Sequence, residues 1–143
     1  MSHSVNYPLA IACALTALGF VAHVTGGLKQ SLSTSPSRLF EGGWATVSAA
    51  HRRNWLQLVG AFQLVTVDLL ALTAVLYLLA FTDALAPARA IAFAVSGIYF
   101  AWGVIWLVQL GLLRCTAREF LSLGHWAYWF VCSALIFRGA LSL

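Results

Sequence analysis

Residues 55–81 read WLQLVGAFQLVTVDLLALTAVLYLLAF, a run of 27 positions with no Lys, Arg or Glu and a single acid, Asp68. A helix needs about 20 predominantly apolar residues to cross the hydrocarbon core of a bilayer, so this run is long enough to cross. The whole chain has the same character: of its 143 residues 62% are hydrophobic and 8% charged. Soluble domains average about 45–50% apolar and about 25% charged residues. Three further runs are long and apolar enough, residues 8–26, 90–113 and 123–141. The reading is an all-α integral membrane protein, a single domain over 1–143 with four transmembrane helices in an up-down-up-down bundle. The opening MSHSVNYPLA has no Lys or Arg ahead of the first apolar run. That run is therefore read as a retained helix and not as a cleaved signal peptide.

Punctuation along the chain gives the helix ends. Asn6 precedes Pro8, the residue types of a helix cap and a first helical turn. Gly26 and Gly27 are expected to end the first helix, and residues 28–43, LKQSLSTSPSRLFEGG, read as a polar loop along the membrane surface. No breaker separates Trp44 from Arg53, so the second helix is expected to begin near Trp44. Pro87 is expected to open the third helix, and CTAREFLSLG (115–124) is a short, partly helical link. Trp44, Trp55, Tyr77, Tyr99, Trp106, Trp126 and Tyr128 fall mostly near span ends, as an interfacial aromatic belt, while Trp102 and Trp129 lie deeper, between helices.

The net charge of +4 rests on scattered basic residues with no run beyond Arg52-Arg53, which excludes a nucleic-acid partner. It does orient the chain. With four spans, Lys29, Arg38, Arg52, Arg53, Arg114 and Arg118 lie on one side, and Arg89 and Arg138 on the other. Cytoplasmic loops carry the excess of Lys and Arg. Both termini are therefore expected outside the cytoplasm, in the periplasm if the membrane is a bacterial inner membrane. Three cysteines, Cys13, Cys115 and Cys132, form no CxxC pair and imply neither a disulfide nor a zinc site.

Candidate functional residues are the polar ones inside or beside the spans. At about 100° per residue, Asn54 and Asp68 lie within about 60° of Gln57 on the second helix. Gly60, Ala61 and Ala71 share or flank that stripe, and small residues mark helix–helix contact in membranes. Asp68 is about 20 Å along the axis from Trp55, near mid-membrane. Facing lipid there would cost at least about 2.5–3.5 kcal/mol, so Asp68 is expected to face protein. Its role is either a functional acid or a structural hydrogen bond between helices. Arg138 lies at a similar depth on the fourth span and can pair with Asp68 or snorkel to the headgroups.

A second group gathers towards the cytoplasmic ends: His23, His51, Arg52, Arg53, Gln109 and His125. Imidazoles from facing helices are what a b-type haem or transition metal needs. The bland reading is interfacial hydrogen bonding. No two of these histidines have the i, i+3 or i, i+4 spacing of a metal motif, so no metal site is assigned.

The stretch AHRRNWLQ (50–57) resembles the glutathione-binding run at the start of the second helix in the small membrane glutathione-transferase superfamily, often called MAPEG. The resemblance implies a four-span fold with outside termini and a glutathione-type activity built around Arg52, Asn54 and Gln57. Gln57 stands where the family has Glu, and the third span lacks the Arg expected of it. The pattern AHVTGG (22–27), followed by a polar loop and a long second helix, is also similar to small four-span bacterial membrane proteins of unassigned function.

Two functions follow as expectations. The first is a non-catalytic subunit, assembly factor or homo-oligomer of the inner membrane, with the bilayer and other membrane proteins as partners. The second is a membrane enzyme or redox protein, glutathione-type or haem-binding, using the cytoplasmic polar group. No residue is assigned a catalytic role.

Overall fold

The computed structural model describes residues 4–35, 42–122 and 124–143. Among them are five α-helices and no strand: α1 (Tyr7–Ser33), α2 (Ala49–Phe81), α3 (Ala88–Leu112), α4 (Ala117–Ser122) and α5 (His125–Ala140), with a 3-10 turn, Gly43–Ala45, ahead of α2. Three helices are long and apolar enough to cross a membrane: α1 over Tyr7–Gln30, α2 and α3. The fourth apolar run forms α5, a helix of 16 residues. At 1.5 Å per residue that is about 24 Å, short of the roughly 30 Å of hydrocarbon. Arg38 and Leu123, used above for orientation and for the fourth span, lie outside the described residues.

Helix ends explain two departures from the sequence reading. The first helix does not stop at Gly26-Gly27 but runs on to Ser33. Glycine costs a helix about 1 kcal/mol in water, but here its missing side chain is used: a Cβ on Gly27 would collide with the Phe62 ring of α2. The second helix starts at Ala49 and not near Trp44, because Gly42 and Gly43 adopt positive φ and turn the chain first. Ser48 then caps α2, its hydroxyl accepting the His51 backbone N–H at 3.3 Å. The 115–124 link holds a complete capping box. The Thr116 hydroxyl accepts the Glu119 N–H at 3.3 Å, and the Glu119 carboxylate accepts the Thr116 N–H at 2.7 Å.

The chain divides into two compact units, residues 1–15 with 72–143, and residues 16–71. In the first, α1, α2, α3 and α5 all contribute to one buried core, with Leu9, Leu76, Tyr99, Cys132 and Ile136 at its centre. Tyr99 is fully buried, a correction to its place in the interfacial belt. Its ring meets Trp102 and Trp129, each at 5.6 Å between centroids.

Contacts between α3 and α5 run in opposite directions along the two helices: Phe93 with Phe137, Phe100 with Phe130, Trp106 with His125. The pair is therefore antiparallel. Gly103 lets the Phe130 ring approach to where a Cβ would stand 2.9 Å from it. The turn after α3 closes as a Schellman motif, with Cys115 N–H donating to Leu110 O at 3.1 Å and Arg114 N–H to Gly111 O at 3.0 Å. Its left-handed position is Arg114, at φ 53.

In the second unit α1 and α2 form a hairpin seam. Thr16, His23 and Gly27 of α1 turn inward at spacings of seven and four residues, one helical face. On α2 the inward residues are Trp55, Val59, Phe62, Thr66 and Leu69.

Candidate functional site

The α2 seam fixes where the polar stripe points. Taking Gln57 as zero at about 100° per residue, Phe62, Trp55 and Thr66 fall near 140–180°. Gln57, Asp68, Ala61 and Leu64 lie on the far side, and all four are exposed, as is Asn54. Asp68 was expected to face protein. The side of α2 that meets α1 is the other one, so nothing in this hairpin covers the carboxylate. Gly60, about two turns before Asp68 at the edge of the stripe, has no atom within 4 Å of where its Cβ would be, and Ala71 is exposed. The result is a notched polar face in the middle of a membrane-length helix.

Arg138, which the sequence allows to pair with Asp68 or to snorkel to the headgroups, is exposed near the end of α5. It lines an open groove between α3 and α5.

The histidines each have local roles. His23 lies flat on Phe62, with ring centroids 3.7 Å apart and planes 7° from parallel. Its Nε2 is 3.1 Å from the Phe62 carbonyl oxygen. A carbonyl can only accept, so the ring donates from Nε2. The same carbonyl accepts the Thr66 hydroxyl at 3.2 Å. His23 is thereby fixed as a seam residue, with Nε2 taken. His51 is exposed, its Nδ1 3.0 Å from the Ser48 hydroxyl, part of the α2 cap. His125 is exposed and tilts against Trp106 at 5.0 Å, and Gln109 is exposed one turn further along α3. Arg52 and Arg53 are exposed at the start of α2, with the Arg52 guanidinium 5.6 Å over the Trp44 ring. Among the described residues no three His, Cys, Asp or Glu side chains gather as a metal would require.

Structural hydrogen bonds that the sequence did not disclose come from hydroxyls and one amide. Ser96 and Ser133 join α3 to α5 through hydrogen bonds buried from solvent. The Asn6 side chain donates to Gly139 O at 3.0 Å and to the Ser142 hydroxyl at 3.2 Å, while its backbone N–H donates to Ala80 O at 3.1 Å. Tyr128 donates its hydroxyl to Leu15 O at 3.1 Å. A serine in an apolar run carries a weak signal, since its pairing depends on a register that only the fold supplies. The Trp55 indole N–H is a buried donor with no partner among the described residues.

No protein-family model, curated protein or solved structure matches the chain. The likeness of residues 50–57 to the MAPEG run therefore stands on those eight residues alone.

Proposed function

We propose that the chain is a non-catalytic membrane component, a subunit or assembly factor of a larger complex or a homo-oligomer, that docks through the Asn54–Gln57–Asp68 face of α2. The observation that carries this reading is the exposed Asp68 at mid-helix. An ionisable group at that depth is rare unless it meets protein or a water-filled cavity, and α1 does not cover it. Gly60, Ala61 and Ala71 leave a smooth notch in which a second helix can approach closely. An enzymatic reading through His23, His51, Arg52 and Arg53 has less support, since His23 Nε2 and His51 Nδ1 are already engaged within the fold.

The membrane topology belongs to the same proposal: one domain, four crossings, and both termini on the periplasmic side of a bacterial inner membrane. Support comes from parity. Asn6 bonds to Gly139 and Ser142, so the start of α1 and the end of α5 lie together, which favours one membrane face for both. Equal faces need an even number of crossings, and three long helices alone give an odd number. The short α5 is then the fourth crossing, aided by local bilayer thinning and by Arg138 reaching outward. The six-to-two split of basic residues supplies the orientation.

The test is mass analysis after gentle extraction from the native membrane, with the parent, Asp68→Asn and Asp68→Leu compared. Interhelical polar contacts in membranes are worth about 0.6–2 kcal/mol. Asp68→Leu is expected to weaken association about 3- to 30-fold, and Asp68→Asn to retain most of it. A parent that leaves the membrane as a lone monomer would overturn the reading, as would association indifferent to Asp68→Leu.

A further inference from the structure

A groove of about 790 Å³ lies open between α3 and α5. Phe93, Phe100, Phe130 and Phe137 form its walls. Phe100 and Phe137 are more than half exposed. On the floor, Ser96 and Ser133 also line it, but their hydroxyls are spent on each other's carbonyls. Along its length the groove therefore asks for nothing polar.

Its polarity is all at one end. Arg138 lines the groove beside Phe137. Phe137 meets Phe93 at 5.4 Å, and the Arg89 guanidinium stands 5.7 Å over the Phe93 ring. Arg138 lines the groove itself, while the exposed Arg89 does not line it but stands over Phe93, the lining residue nearest the start of α3, which antiparallel packing brings to the Arg138 end. Among the described residues no acid lines the groove.

The length fits one leaflet. From Phe130 to Leu141 along α5 is about 16 Å, roughly half of a hydrocarbon core of about 30 Å. A partner helix would run the full thickness and would meet two cations with no counter-charge. An acyl chain needs an apolar slot one leaflet deep, and an anionic headgroup needs donors at its mouth.

We infer that the α3–α5 groove is a binding site for one anionic phospholipid, its acyl chain lying against the four phenylalanines and its phosphate held by Arg89 and Arg138. The guanidinium fork suits a phosphate in a way a zwitterionic headgroup, with its own ammonium, answers less well. Gly97 opens the floor. No atom lies within 4 Å of where its Cβ would stand, so a bulky side chain there fills the groove without striking the helix pair.

Native mass spectrometry of the purified full chain, offered phosphatidylglycerol and phosphatidylcholine at matched amounts, tests this. The parent is expected to retain one phosphatidylglycerol in preference to phosphatidylcholine. Arg89→Gln and Arg138→Gln are each expected to lower that preference about fivefold. Gly97→Phe is expected to abolish retention of both lipids. Equal retention of the two lipids by the parent would overturn the proposal, and so would an unchanged preference in both arginine variants. A folded Gly97→Phe variant that keeps phosphatidylglycerol would place the lipid elsewhere. The arginine variants alter only exposed side chains, so they carry the test even if Gly97→Phe does not fold.

Discussion

Ser96 and Ser133 are bound to each other twice: each hydroxyl donates to the other residue's backbone carbonyl at 3.0 Å, with the two hydroxyl oxygens 3.2 Å apart. Both side chains are buried, and their helices run antiparallel. The pair acts as a closed reciprocal clasp, in which neither hydroxyl leaves a donor for anything else.

Removing either half is expected to cost about 0.5–1.5 kcal/mol, the net value of one hydrogen bond. Because the two bonds share residues, Ser96→Ala and Ser133→Ala are expected to be non-additive, the double variant losing less than the sum. A double-mutant cycle by reversible unfolding in mixed micelles measures the coupling. Strict additivity would contradict the clasp.

Gly139 and Gly60 are expected to respond oppositely to alanine. A Cβ on Gly139 would stand 2.5 Å from Leu9 Cγ and 3.0 Å from Asn6 Oδ1, inside the core and at the terminal clasp. Gly139→Ala is expected to destabilise the isolated chain by about 1–3 kcal/mol, as overpacking does. Gly60→Ala meets no atom within 4 Å. It is expected to leave the isolated chain's thermal stability unchanged or slightly raised while weakening association, which separates fold from docking in one comparison.

Arg114 occupies the left-handed position that closes α3, at φ 53. A side chain there costs about 1 kcal/mol relative to glycine. Arg114→Gly is expected to raise stability by up to about 1 kcal/mol, read from the unfolding midpoint. A drop would show that the Arg114 side chain contributes more than its backbone strain removes.

Glu119 gives a pH dependence with a definite sign. The Thr116 backbone N–H, then its hydroxyl, hold the exposed Glu119 carboxyl below the usual carboxylate range. A group with a lowered pKa adds stability above its unfolded pKa and loses it as pH falls through the folded value. The α4 cap is therefore expected to be intact at neutral pH and to loosen only in acid below the ordinary carboxylate range. The Thr116 amide proton resonance, followed by NMR, reports it. A shift centred near neutral pH would contradict the assignment.

The membrane character was legible because bilayer thickness sets the length of an apolar run directly, and α1, α2 and α3 meet it. Helix ends were less so. Gly26 and Gly27 read as a stop by the rules of water, yet the Phe62 ring needs the space beside Gly27, and α1 continues. The partly helical character of 115–124 is legible, but the Thr116 and Glu119 capping box within it goes unread without the fold. Periodicity found that Asn54, Gln57 and Asp68 share a face; it had no way to tell which face of α2 the chain itself would use. That choice is made by His23 stacking on Phe62, a contact between residues 39 apart in sequence.

Asn6 holds Ala80, Gly139 and Ser142 at once, so the start of α1 and the end of α5 meet beside the α2–α3 turn. The first unit is in effect a ring whose seam happens to fall there. Its core depends on which helices touch and not on which is made first. Joining residues 4 and 143 by a short linker and opening the chain at the turn after α3 would give a circular permutant with the same neighbours. The same buried core in that permutant, read from its unfolding midpoint, is the expected outcome.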